Sequence, residues 1–395
     1  MITLLGIGPG DRNGLTAEAM TALEQADLLI GAARMLAQAP DTEAERVTAY
    51  KSDEVFAALT ERRHEQACVL YSGDPGFWSG AESLVRRLEK AGLPYRVLPG
   101  LSSVQVLAAR LGRSWKDWVL ASAHGQDGQV LARLKSGRPV FLLTGGPEGP
   151  AAVCRELVEA GLQDLTVTVA EDLSYPGETV TAGRAADFVR RTFRPLNVVL
   201  VEPARICPVP GPGIPDSGFI RGSVPMTKQE VRAVILSRLA VGPSDVCWDI
   251  GAGTGSVSVE LALRAGEVQA VEYDPEACAL IRKNREKFCA WNLFLTEGRA
   301  PEVLDSLPAP DAVFVGGSEG ALRQILRKAA EKNPGVRLCV SAVTLETAAE
   351  AVDEMEEMGL EPEAVQLSVS RSRRAGEKHM LLAGNPVFLI TGGNP

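Results

Sequence analysis

Residues 246–262 read VCWDIGAGTGSVSVELA, and this stretch decides the fold of the second half of the chain. An apolar strand runs to Asp249, passes into Gly251-Ala252-Gly253-Thr254-Gly255 and gives way to a helix for which Ser256 or Thr254 would serve as cap. Glycines let a backbone turn tightly and come close to a ligand, and a helix start presents unpaired amides to an anionic group. A dinucleotide fingerprint requires G-x-G-x-x-G, whereas the spacing here is the shorter G-x-G-x-G. Further on, strand 268–274 closes on Glu272-Tyr273-Asp274. An acidic side chain at that distance can accept both hydroxyls of a ribose, so the turn suits an adenosine-bearing cofactor.

Outward from this turn, short β-branched runs alternate with amphipathic stretches, the pattern of α/β sheets. In the second half the expected strands are 246–251, 268–274, 293–298, 312–317, 337–343 and 386–393, with helices at 227–239, 275–288 and 345–359. In the first half they are 3–8, 67–74, 95–100, 139–145, 166–171 and 197–202, with helices at 16–26, 80–92 and 151–161. Between the halves lies PARICPVPGPGIPDSGFIRGSVP, 203–225, whose prolines exclude helix and central strand and read as an extended tether. The expected division is therefore a domain at 1–205, a Pro/Gly-rich linker at 206–222 and a domain at 223–395.

The 395 residues suit two or three domains, and 45% hydrophobic with 23% charged residues suits a globular protein. A formal net charge of −9 excludes a global electrostatic footprint for nucleic acid or an anionic membrane. An acidic ligand would need a local basic patch. Arg371, Arg373, Arg374 and Lys378 form the densest basic run, read either as a carboxylate-binding patch or as a solvated loop. Seven scattered cysteines without a CxxC, and three histidines, point to reduced thiols and no protein-bound metal. The start MITLLGIGPGD lacks the marks of a signal peptide, and no apolar run reaches membrane-span length, so a cytoplasmic location is expected.

The first half uses glycine differently. Gly6-Ile7-Gly8-Pro9-Gly10-Asp11 follows the first strand and precedes a helix capped by Thr16. Ser72-Gly73-Asp74-Pro75-Gly76 and Leu98-Pro99-Gly100-Leu101-Ser102-Ser103 also stand at strand ends. Three such turns at the carboxyl ends of parallel strands would form one ligand-binding rim.

GIGPGD, SGDPGFWSG and LPGLSSVQ resemble the signature of the tetrapyrrole (precorrin) methylases, with SAHG (122–125) and LTGGPEGP (143–150) where that family's second subdomain begins. From Val224-Pro225-Met226-Thr227-Lys228 through DIGAGTG, VEYD, EGRAPE (297–302), VFVGGS (313–318) and NPVFLI (385–390), the chain is similar to the decarboxylating precorrin methyltransferases of class I fold. The resemblance implies a tetrapyrrole-methylase fold of two α/β subdomains followed by a Rossmann-like class I methyltransferase domain. It further implies S-adenosyl-L-methionine as methyl donor, a precorrin-6-level tetrapyrrole of the corrin pathway as substrate, and a homo-oligomer. The first module would methylate C5; the second would methylate C15 and remove the carboxylate of the ring C acetate.

Carried onto this sequence, the resemblance implies donor contacts at Thr227, Gly251, Ala252, Gly253, Thr254, Gly255, Glu272 and Ala300 in the second module. In the first it implies Gly73, Asp74, Gly76, Ser102 and Ser103. Gly8, Pro9 and Gly10 would line the cleft, Asp11 would contact substrate or act as a cap, and His124 would face the cleft or serve as a structural hydrogen-bonding residue. Arg371 and Arg374 would meet substrate carboxylates. No side chain is singled out as catalytic, since the electron-rich macrocycle is itself the nucleophile. Three other readings compete. Gly316-Gly317-Ser318-Glu319-Gly320 fits a hydrolase elbow, with Asp353 and His379 following in triad order. The glycines with Glu272 also fit an NAD-dependent oxidoreductase, and a pair of S-adenosylmethionine sensors would bind without turnover.

Overall fold

The computed structural model describes residues 1–8, 10, 14–123, 130–205 and 213–393. Pro9, Asp11, His124 and the first part of the expected linker lie outside the described residues. The chain forms two compact units, the first of residues 1–128, 138–158 and 163–203 and the second of residues 129–137, 159–162 and 204–395. Among the described residues no helix is long and apolar enough to cross a membrane.

The first unit holds two five-stranded sheets. One comprises β1 (Ile2–Gly6), β2 (Leu28–Gly31), β3 (Glu45–Thr48), β4 (Ala67–Tyr71) and β5 (Tyr95–Leu98) in the order β3-β2-β4-β1-β5. Every pairing in it is parallel, so helices cross back over its faces, and all five residues of β1 are buried. Thr16 caps the first of these helices, Ala17–Gln25, as expected, accepting from the amide of Ala19 at 3.1 Å. The other sheet comprises β6 (Val119–Ser122), β7 (Val140–Leu143), β8 (Thr166–Glu171), β9 (Thr179–Arg184) and β10 (Asn197–Val201), ordered β6-β7-β10-β8-β9. Only β6 and β7 pair in parallel there.

In the second unit β11 (Val246–Ile250), β12 (Glu267–Glu272), β13 (Leu293–Glu297), β14 (Ala312–Val315), β15 (Arg337–Ala342) and β16 (Glu363–Leu367) join one sheet. A separate hairpin of β17 (Ser370–Ala375) and β18 (Lys378–Ala383) follows, and β19 (Val387–Gly392) returns to the sheet. The order is β13-β12-β11-β14-β15-β19-β16, with β19 antiparallel to both neighbours. Sequence order reverses at β11, which has β12 on one side and β14 on the other. That switch point opens a crevice beyond the carboxyl ends of these strands, where open α/β sheets bind ligands.

Two expectations change here. The basic run 371–378 is an exposed β-hairpin, not a loop. The stretch read as linker up to residue 222 is packed from Gly213 onward. Ile214 and Phe219 are buried in the second unit's core, and the amides of Gly213 and Ile214 donate to the buried Glu260 carboxylate at 2.9 and 3.1 Å. Arg232, fully buried, bonds Glu260 at 2.9 Å and Asp216 at 2.9 Å, caps the carbonyls of Thr227 and Ile214, and lies 4.7 Å over the Phe219 ring. Proline excludes regular structure but not burial. The apolar side chains between the prolines and a buried ion pair hold this irregular backbone in place.

Candidate functional site

In the second unit, β11 ends at Ile250 and the chain turns at Gly251, whose φ is +70°. A Cβ there would lie 2.6 Å from the carbonyl oxygen of Gly317, so β14's exit and this turn touch backbone to backbone. Gly255, not Ser256 or Thr254, occupies the cap position of the helix Ser256–Ala262 and offers no side chain. The short turn leaves Ser256 already helical. Glu272, at the end of β12, is the centre of the arrangement. Its Oε2 accepts from Gly253 N at 2.8 Å, and its Oε1 accepts from Tyr273 N at 2.8 Å and Asp274 N at 3.0 Å. One carboxylate thus holds the glycine turn against the end of the neighbouring strand.

A cavity of about 230 Å³ opens at this point, walled by Gly251, Glu272, Tyr273, Arg299, Ala300 and Gly317 among others. Ala252, Gly253, Thr254 and Gly255 form the turn behind it and are not among its lining residues. Thr227 is also absent from the wall; its carbonyl serves Arg232 instead. At the mouth, the Arg299 guanidinium stands 3.9 Å over the Tyr273 ring, and both side chains bond Glu319. The sequence reading missed this cluster, for which only Tyr273, beside Glu272, carried a signal.

Asp249 is fully buried beneath the turn, and desolvation pushes its carboxyl up to about 7 against the pull of the Ser258 hydroxyl, which donates to Oδ2. In an unfolded chain an aspartate titrates at about 4. Between those values the native state keeps a proton that the unfolded chain has released, so stability falls as pH rises through that window and levels off above it. Asp249→Asn, permanently neutral, escapes this loss. Its thermal midpoint is expected to gain on that of the parent chain from about pH 4 to about pH 7. A gap that stays constant with pH would contradict the assignment.

In the first unit, β4, β1 and β5 are neighbours, so the three glycine turns do share one sheet edge. Gly8 and Gly73 exchange amide hydrogen bonds at 3.3 and 2.9 Å. A Cβ on Gly100 would lie 2.4 Å from the Gly73 carbonyl oxygen, which shows how tightly the turns pack. Asp74 ties two of them together, accepting from Gly76 N at 2.8 Å and Gly100 N at 3.1 Å. Gly73, Asp74 and Ser103 line a cavity of about 570 Å³, whose far wall is Ser122, Thr144 and Asn197 from the second sheet. Gly76 and Ser102 stand behind it, Ser102 bonding Gln105 at the start of the helix Ser103–Leu111. Gly10 packs against Tyr175, whose hydroxyl accepts from Gln38 at 2.6 Å and Arg34 at 3.1 Å. Tyr175, Arg34 and Asn197 carry no motif and were not legible in the sequence, while Thr144 lies in the LTGGPEGP stretch but was not singled out.

Arg371, half-exposed, pairs with Asp216 at 3.1 Å and with Glu230, and neither it nor Arg374 lines the second unit's cavity. Arg374 bonds the carbonyl of Gly376 within its own hairpin. The hydrolase elbow also fails. The residues with positive φ are Glu319 and Gly320 rather than Ser318, and neither Asp353, exposed on the helix Leu345–Glu357, nor His379, on the exposed hairpin, lines the cavity that Ser318 lines.

Residues 1–189 match the family described as Tetrapyrrole (Corrin/Porphyrin) Methylases, and residues 219–391 match the Precorrin methyltransferase domain family. A relative from Sinorhizobium sp named "Precorrin-6Y C(5,15)-methyltransferase [decarboxylating]" is 34% identical over 91% of this chain and 88% of its own length. "Probable cobalt-precorrin-6B C(15)-methyltransferase (decarboxylating)" of Pyrobaculum calidifontis is 46% identical over 47% of this chain and 97% of its own. The crystal structure of precorrin-6y C5,15-methyltransferase from Geobacter metallireducens GS-15 is 40% identical over 47% of this chain and all of its own, with a TM-score of 0.45. With one relative matched across nearly the whole length of both proteins, and each unit carrying its own glycine-turned crevice, the chain belongs to the precorrin-6Y C5,15-methyltransferase (decarboxylating) family.

Proposed function

We propose that this chain is a bifunctional S-adenosylmethionine-dependent enzyme that methylates a precorrin-6-level tetrapyrrole at C5 in the first unit and at C15 in the second, with loss of the ring C acetate carboxylate. The observation that carries the reading is the pairing of two glycine-turned crevices, each at the carboxyl edge of parallel strands, in a chain aligned end to end with a relative of that name. The second crevice fits the donor. Gly251 leaves room where a side chain would collide, Glu272 presents a fixed carboxylate, and Asp249 Oδ1 and Thr254 Oγ1 are buried without a hydrogen-bond partner.

When bound, S-adenosylmethionine would supply a methyl group on a positively charged sulfur, transferable to a macrocycle carbon with S-adenosylhomocysteine as the leaving product. Glu272 would accept the ribose hydroxyls, its orientation set by three backbone amides. Tyr273 would flank the adenine, and the Gly251–Gly317 backbone contact would close the floor to water. In the first unit Asp74 would hold two turns in register for the donor, with Gly73 and Ser103 at its wall. Holding the two reactants in line supplies most of the acceleration such a transfer needs. A cytoplasmic homo-oligomer is the proposed working form; Cys68, Cys154, Cys247, Cys278 and Cys339, buried and free, suit a reducing compartment.

The experiment is to incubate the full chain with S-adenosylmethionine and a precorrin-6-level tetrapyrrole and weigh the product. A gain of two methyl groups with loss of one CO₂ is expected. A product with no added methyl, or calorimetric binding of NAD in place of S-adenosylhomocysteine, overturns the reading.

A further inference from the structure

Beside the second unit's donor crevice lies another cavity, of about 580 Å³, formed by the segment that joins the linker to the helix Gln229–Leu239. Its walls are Ser217, Phe219, Arg221, Val224, Met226 and Lys228, with Gly222 and Pro225 between them. Val224 lines both cavities, so the two spaces share a wall. A Cβ on Gly253 would lie 3.8 Å from Val224 and 3.4 Å from the Pro225 carbonyl oxygen, which puts the segment directly against the glycine turn.

The segment is held on both sides. Asn284 accepts from Ile220 N at 2.8 Å and donates to the carbonyls of Ile220 at 3.0 Å and Thr254 at 2.9 Å. Glu276 accepts from Ser223 N at 3.0 Å and from its hydroxyl at 2.8 Å. The nearby carboxylates are thereby committed: Asp216 to Arg232 and Arg371, Glu230 to Arg371, Glu276 to Ser223. Arg221 and Lys228, both exposed, have no carboxylate partner among the described residues. The cavity therefore combines a mostly polar lining, edged by Val224, with two cations that have no carboxylate partner among the described residues.

We propose that this cavity is the docking subsite for the carboxylate side chains of the tetrapyrrole that the second unit methylates, with Arg221 and Lys228 as the binding cations. The inference rests on the methyl-transfer reading of that unit. A macrocycle bearing carboxylates offers what such a surface takes: anions for a guanidinium fork and an ammonium. Its place against the glycine turn puts a macrocycle held there next to the donor.

The test uses the full chain carrying Arg221→Gln, Lys228→Gln, the pair together, and Arg221→Lys. Binding is read from the absorbance of a metal-free precorrin-6-level tetrapyrrole titrated with S-adenosylhomocysteine present; turnover is read separately at C15 and C5. Each neutral variant is expected to raise the KM for C15 methylation by about fivefold to tenfold and the double variant by about thirtyfold or more, as for charge-assisted contacts at a part-exposed site. The KM for C5 methylation, the thermal midpoint and S-adenosylhomocysteine affinity stay unchanged, and Arg221→Lys recovers much of the loss. An unchanged C15 KM in the double variant, or equal losses at C5 and C15, overturns the subsite while leaving the methyl-transfer reading intact. A parent chain that places no methyl on C15 overturns the reading itself, and the subsite with it.

Discussion

Arg232→Met is expected to cost the second unit about 3–5 kcal/mol of stability, because it removes one member of a buried ion pair and leaves the other without compensation. Arg232 is fully buried, and so is its partner Glu260. The methionine keeps the packing volume but loses the bonds to Glu260 and Asp216 and to the carbonyls of Thr227 and Ile214. Among the described residues Glu260 would then keep the amides of Gly213 and Ile214, too few donors for a carboxylate out of water. Urea unfolding of the full chain, followed by tryptophan fluorescence, should show the second unit's transition moving to lower denaturant with little change in the first. The double variant Arg232→Met with Glu260→Met should recover part of the loss, since replacing both charges removes the stranded one. A single-variant change below about 1 kcal/mol would place this pair among surface ion pairs and refute the assignment.

Gly251→Ala should abolish chemistry in the second unit alone. The added Cβ lands 2.6 Å from the Gly317 carbonyl oxygen and 2.8 Å from its nitrogen, and both obstacles are backbone. Neither strand can step aside: Ile250 and Val315 are in register, Gly316 N donates to Ile250 O at 2.9 Å, and Gly251 N donates to Val271 O at 3.0 Å. The φ of +70° adds strain of about 1–2 kcal/mol for any residue with a Cβ. Relief must come from the turn itself, and the wall of the crevice moves with it. S-adenosylhomocysteine affinity at this site is expected to fall at least about 100-fold, which corresponds to about 2.8 kcal/mol. Calorimetry on the full chain should then show one binding event where the parent shows two, and the product should carry the C5 methyl with its ring C acetate intact. C15 methylation surviving within about tenfold of the parent would show that the turn does not hold the donor.

The features legible in the sequence are those fixed locally. DIGAGTG and the turns after β1, β4 and β5 stand out because glycine and proline mark backbone geometry directly, and each lies at the strand end where it was expected. The Tyr273–Arg299–Glu319 cluster could not be read in this way. Its members are far apart in sequence and meet only because the crevice forms where β12, β11 and β14 lie side by side. The first unit's Thr144, Asn197 and Tyr175 come together for the same reason. The strands β2 and β3, two of the five in this sheet, were passed over; β3, Glu45–Thr48, is largely exposed and carries no apolar run. Arg371 could be read only as part of a basic run; its pairing with Asp216 and Glu230, 155 and 141 residues away, depends on the tertiary fold.

Asn284 joins the chain's path into the second unit to the carbonyl of Thr254, so the approach segment and the glycine turn form one mechanical piece. In evolutionary terms, the heritable module is larger than its sheet. A recombination joint falling after residue 222 would transfer every strand of this unit yet leave behind Ile214, Asp216 and Phe219, three of the groups that hold the buried Arg232. The segment that resembles a spacer is part of the cargo, and a fusion that trims it for economy discards the foundation of the turn.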